Sequence, residues 1–117
     1  NENLINWDGT IYLVEGVFDH IVIPNSIPLL GKTMYNRLKS ALLKNAKSDV
    51  VILLDDDAKD DAIEIYKQLN VGALYGRIKK CSPPTDTDPS LVFEREGNTG
   101  IINLLRSSDY IPESKLY

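Results

Sequence analysis

The apolar residues of this chain fall into short blocks with two different periods. Residues 10–15, "TIYLVE", form a β-rich apolar run that predicts a buried strand stopping at a carboxylate. Gly16 follows, then "VFDHIVI", a short helical stretch that Pro24 must end, since proline lacks the N–H donor and crowds the preceding turn. "SIPLLG" (26–31) predicts a weak second strand, and Pro28 puts it at a sheet edge or distorts it. "KTMYNRLKSALLKNA" (32–46) carries Met34, Leu38, Leu42 and Leu43 on one stripe, the pattern of an amphipathic helix. "DVVILLD" (49–55) is apolar throughout its middle, as a strand covered on both faces must be.

"AKDDAIEIYKQLN" (58–70) returns to helical spacing, with Ala62, Ile65, Tyr66 and Leu69 inward. Its acids crowd the first turn, where they complement the helix dipole. "GALYGRIKK" (72–80) reads as another strand, "CSPPTDTDPS" (81–90) as a loop, and "NTGIINLLRSS" (98–108) as a closing helix. Gly97 and Gly100 fit a turn before that helix rather than a phosphate-binding motif. Strands alternating with helices predict an α/β fold with about four mainly parallel strands and right-handed crossovers. In such sheets ligands bind outside the carboxyl ends of the strands.

That rule gives the acids a common address. Glu15 and Asp55 each end a predicted strand, and Asp86 and Asp88 follow a third. An extended Asp55 and Asp57 face the same way, about 6 to 7 Å apart along the chain, with Asp56 pointing elsewhere. Two carboxylates plus one from a neighbouring strand suit a hard, oxygen-seeking cation, chiefly Mg²⁺. Paired metals about 3.5 to 4 Å apart commonly act on phosphate chemistry. The competing reading is that these acids only cap and charge the following helix, and for Asp60 and Asp61 that reading is preferred. A single D-x-D decides nothing by itself. Glu15 favours a site, because a carboxylate closing an apolar strand gains nothing from burial, and Asp19 lies one helical turn beyond it.

Composition narrows the classes without choosing among them. The 117 residues, 43% hydrophobic and 26% charged, are expected to form one domain (1–117) with a single core. The opening "NENLINWDG" reads as a cut into a longer protein. Nothing resembles a membrane span or signal peptide, and a lone Cys81 excludes an internal disulfide and fits a reducing cytoplasm. One Cys and one His exclude a structural zinc site built from this chain alone. The net charge of −4 argues mildly against a whole-surface nucleic-acid binder. "GRIKK" (76–80) is a basic run that either tracks a phosphate backbone or is a solvated strand end. His20 and Cys81 read as packing residues, and Trp7 and Tyr12 as core or interface aromatics.

"YLVEGVFD", "LLGKT", "VVILLDDDAKDDA" and "PPTDTDPSLVFEREG", in that order, resemble the Toprim domain of DnaG-type primases of bacteria and bacteriophages. The resemblance spans residues 11–105 and implies a Rossmann-like Toprim fold. By position, Glu15 matches the family's glutamate, Asp55 and Asp57 its D-x-D, and Asp19 the second acid of the primase version. Asp86 and Asp88 fall in its acidic loop. The chain departs from the pattern in a short 19–31 segment, in Lys32 between Gly31 and Thr33, and in Asp60 where a glycine is common.

The resemblance implies Mg²⁺- or Mn²⁺-dependent synthesis of an RNA primer on single-stranded DNA. Two ions would be held by Glu15, Asp19, Asp55, Asp57, Asp86 and Asp88. Glu15, Asp55 and Asp57 would be the catalytic set, with Glu15 a candidate for proton transfer. Nucleoside triphosphates, a DNA template and a replicative helicase are the implied partners of the full-length nucleotidyltransferase, and the isolated domain is expected to be inactive. The alternatives are a topoisomerase or nuclease Toprim domain, a Toprim module kept only for assembly or DNA docking, and a phosphoaspartyl domain. A haloacid-dehalogenase-like phosphoaspartyl domain carries its D-x-D on the first strand, whereas here it follows the third.

Overall fold

The computed structural model describes residues 5–29, 36–54, 59–83 and 87–110. The four predicted strands form, at β1 (Ile11–Val14), β2 (Ser26–Pro28), β3 (Val50–Leu53) and β4 (Ile78–Cys81). They pair in parallel in the order β2-β1-β3-β4, and a two-residue β5 (Asp109–Tyr110) adds antiparallel to β4. Among the described residues, β5 is the one strand the hydrophobic pattern does not announce. Pro28 sits where its missing N–H does least harm, on the edge strand β2.

Period-two alternation sends each strand's side chains to two separate cores. Ile11 and Leu13, Val50 and Ile52, and Ile78 pack with Leu38 and Leu42 of α2 (Asn36–Asn45) and Ala62, Ile65 and Leu69 of α3 (Lys59–Leu69). Val14, Val51, Leu53 and Cys81 face the other way, against Val92, Ile101 and Leu104 of α4 (Pro89–Arg106) and Ile23 beyond α1 (Val17–Val22). β1→β2 and β3→β4 step in opposite directions across the sheet. Right-handed crossovers therefore require α1 and α3 on opposite faces, and the two cores place them there. The result is an α/β fold, a parallel four-stranded sheet with helices on both faces.

Three local details differ from the periodicity. The segment that reads as a strand from Gly72 is a 3₁₀ turn at Gly72–Leu74, and β4 begins only at Ile78. Gly72 and Gly76 both adopt positive φ, of 56° and 79°, which breaks the extended chain. The loop read as 81–90 is shorter at both ends, because Cys81 closes β4 and Pro89 opens α4. The closing helix does follow a break at Gly97, but a helical stretch from Pro89 precedes that break. Pro89–Arg106 is thus two helical runs meeting at a kink, and Gly100 lies buried in the second run rather than in the turn.

Candidate functional site at the carboxyl edge of the sheet

The parallel strands end in register. Val14 pairs with Leu53, Leu53 with Cys81, and Val14 with Pro28, so all four carboxyl ends lie along one edge. Because β1 connects to β2 on one side and lies beside β3 on the other, the chain reverses direction between β1 and β3. That switch point opens a crevice between two strand ends. Glu15 leaves β1 there, half-buried. Leu54, the last described residue before 55–58, leaves β3 beside it, 3% exposed.

Asp19 belongs to the same corner. It lies in the first turn of α1, 9% exposed, and its Oδ2 accepts from the Gly16 N–H at 3.4 Å. A carboxylate reaching back from the first turn to the N-cap amide is the acidic half of a capping box. This contact holds Asp19 against the turn that presents Glu15, so the short α1 does not displace it.

Asp88 is differently placed. It is the N-cap of α4, with Oδ1 accepting from the Leu91 N–H at 2.9 Å and the Ser90 hydroxyl at 2.7 Å. Asp followed by Pro at the first helical position is the sequence signal that announces this role. One of its oxygens is therefore committed to the helix. Asp55, Asp57 and Asp86 lie outside the described residues, as does Asp56. Among the described residues no three His, Cys, Asp or Glu side chains converge. The donors that are described, Glu15 and Asp19, are all oxygen, which fits a hard divalent cation and not a soft one. Asp60 and Asp61 stand in the first turn of α3, where the dipole favours them.

The lesser candidates resolve into structural roles. Lys79 Nζ pairs with Asp49 Oδ2 at 3.2 Å, Lys80 stands opposite Asp109 across the β4–β5 ladder, and Arg77 donates to the Lys47 carbonyl at 2.9 Å. These ties favour the strand-end reading of "GRIKK". His20 Nδ1 lies 2.9 Å from Ser26 Oγ, whose own proton goes to the Ile23 carbonyl at 2.7 Å. His20 is thus one partner in a turn-closing pair. The side chain of Asn25 bridges Asn6 and Thr10, accepting from the Asn6 N–H at 2.8 Å and donating to the Thr10 carbonyl at 2.8 Å.

Cys81 is buried, and its thiol donates to the Leu104 carbonyl at 3.0 Å. Burial pushes its pKa up, against a smaller opposing effect of the Ser107 hydroxyl. Since the thiolate is the reactive form, the native protein is expected to resist iodoacetamide at pH 8. The same thiol should be fully alkylated in guanidinium chloride, and mass spectrometry reads both. Rapid modification of the native protein would contradict this packing.

With this parallel α/β sheet, the chain is similar to solved primases. It matches the zinc-binding and RNA polymerase domains of the Aquifex aeolicus primase with a TM-score of 0.72 at 25% identity, covering 86% of this chain and 26% of that one. A DnaG primase catalytic domain bound to single-stranded DNA matches with a TM-score of 0.70 at 17% identity, over 92% of this chain and 36% of that one. The RNA polymerase domain of Mycobacterium tuberculosis DnaG gives a TM-score of 0.67 at 15% identity, over 85% of this chain and 36% of that one. This chain therefore spans between 26% and 36% of the lengths of these structures. No protein-family model matches the sequence, and no curated protein does. No helix among the described residues is long and apolar enough to cross a membrane.

Proposed function

We propose that this chain is the Toprim domain of a DnaG-type primase, supporting metal-dependent synthesis of an RNA primer on single-stranded DNA in the cytoplasm. The observation that carries the reading is the position of Glu15, at the β1 carboxyl end beside the switch point, in a sheet similar to the DnaG catalytic cores. The order of sequence motifs supports the same assignment. In this reading Glu15, Asp55 and Asp57 hold Mg²⁺ or Mn²⁺, two ions in all, with Asp19 and the 86–88 acids in support.

Bound metal would neutralise triphosphate charge and lower the pKa of the primer 3′-hydroxyl. The chain's own share is to hold carboxylates at fixed places on a rigid sheet edge, before substrate arrives. Asp19 orients the turn that carries Glu15. In the alternative role, Glu15 would accept a proton at its carboxylate oxygen instead of holding metal. Nucleoside triphosphates, a single-stranded template and a replicative helicase are the partners proposed for the longer protein, and the domain alone is expected to bind metal without polymerising.

Mg²⁺ or Mn²⁺ calorimetry on the wild type and on Asp55→Asn/Asp57→Asn tests the site. Binding in the first and none in the second is expected. Undiminished binding in the double variant would remove the D-x-D from the site.

A further inference from the structure

The charge of this chain is unevenly placed. Residues 20–48 hold five of its 13 lysines and arginines and none of its 17 acids, so a domain of net charge −4 carries a local +5. Four of those cations are Arg37, Lys39 and Lys44 on α2 and Lys47 just beyond it. Helical spacing sets two of them, Arg37 and Lys44, on one face. Arg37, Ser40 and Lys44, at i, i+3 and i+7, are all exposed, opposite the buried Leu38 and Leu42. Lys47 extends the exposed line past the helix end.

Helix stability does not explain the pattern. Lys44 in the last turn complements the dipole, but the dipole favours cations only in that turn and does not account for Arg37 or Lys39. α3, in the same layer, shows the ordinary arrangement, with Asp60 and Asp61 first and Lys67 last. Nor does ion pairing account for Lys47: its contact with Asp8 is 3.8 Å long, with the two side chains 74% and 79% exposed, a geometry that contributes little and is easily displaced.

We infer that the outer face of α2 is a backbone-tracking surface for single-stranded nucleic acid. Arg37, Lys44 and Lys47 are its phosphate contacts. α2 follows β2 and precedes β3, so it runs from the carboxyl edge of the sheet back to the amino edge. Arg37 stands nearest the Glu15 edge, and Lys44 and Lys47 lead away from it. By helical rise, Arg37 and Lys44 are about 10 Å apart along the axis. A strand leaving the carboxyl edge meets phosphate contacts in sequence, with no base-specific group required. The inference rests on the primase reading for its choice of polymer, but not on metal binding.

The test is fluorescence anisotropy of labelled oligo(dT) with the 117-residue chain, in EDTA, across a salt series. Three phosphate contacts give a slope of log K against log salt of about −2. Arg37→Gln/Lys44→Gln/Lys47→Gln is expected to abolish most of that slope and to weaken binding about tenfold or more at 50 mM salt. Lys67→Gln/Arg95→Gln/Arg106→Gln removes the same charge from exposed positions elsewhere and is expected to lose little. All six side chains are exposed, and circular dichroism checks that both variants fold. Equal losses in the two variants would reduce the effect to net charge and overturn the assignment. So would poly-glutamate binding as tightly as oligo(dT), which would point to an acidic protein instead. Because EDTA removes divalent metal, a failed metal site leaves this result unchanged.

Discussion

Glu15→Gln is expected to weaken Mn²⁺ binding at least tenfold while changing thermal stability little. The substitution keeps the shape of the side chain and removes its charge. Affinity for hard cations follows the number of charged oxygen ligands and the rigidity of the site, so one lost carboxylate registers directly. Stability should hardly move, because Glu15 lies just past the last β1 residue, half-buried, and contributes no side chain to either core. Surface changes of that kind are usually within about 0.5 kcal/mol. Asp88→Asn makes a useful companion, since asparagine caps a helix as well as aspartate does. If the capping role is all that Asp88 has, Mn²⁺ affinity will be unchanged in that variant. Electron paramagnetic titration of free Mn²⁺ distinguishes the two outcomes. Wild-type affinity in Glu15→Gln would remove Glu15 from the metal site.

The sheet was legible because buried parallel strands leave an unambiguous trace. Val50–Leu53 is apolar at every position, since both faces are covered, and all four of its residues are buried. The position of Glu15 was legible for a related reason: an acid ending such a run has no packing role to fill, and strand order then brings Glu15 to the switch point. What was hidden is local or non-periodic. β5 is two residues long and pairs only because α4 returns the chain beside β4. Gly72 and Gly76 turn the chain through positive φ, with the Gly76 N–H bound by Asn70 Oδ1 at 2.8 Å, so the apolar residues between them never extend. The Asn25 bridge was invisible because a polar residue at φ 52° has no pattern to reveal its partners. The α2 cations were overlooked because apolar periodicity marks the buried face of a helix, and these lie on the other.

Gly97→Ala is expected to destabilise the protein by about 1 to 3 kcal/mol, although it lies within a helical run. The sign is the informative part. In an unbroken helix, alanine in place of glycine would stabilise by roughly 0.5 to 1 kcal/mol. Gly97 instead has φ 66° and ψ −154°, a conformation that side chains with a Cβ essentially do not adopt. A second observation has the same cause. A Cβ added at Gly100 would lie 2.5 Å from Glu96 Cβ and 3.1 Å from Val92 Cγ1. Residues four apart on a regular helix keep their Cβ atoms about 5 to 6 Å apart, so the chain must fold closer here than a continuous helix allows. That break aims Ile101 and Leu104 at the sheet, where they pack with Val51, Leu53 and Cys81. Gly100→Ala should therefore also destabilise, by about 1 to 3 kcal/mol through overpacking. Urea melts followed by the single tryptophan, Trp7, which packs partly buried against the other core, report both variants. A higher midpoint for Gly97→Ala would mean that α4 is one straight helix, and Ile101 and Leu104 would then need another route to the sheet.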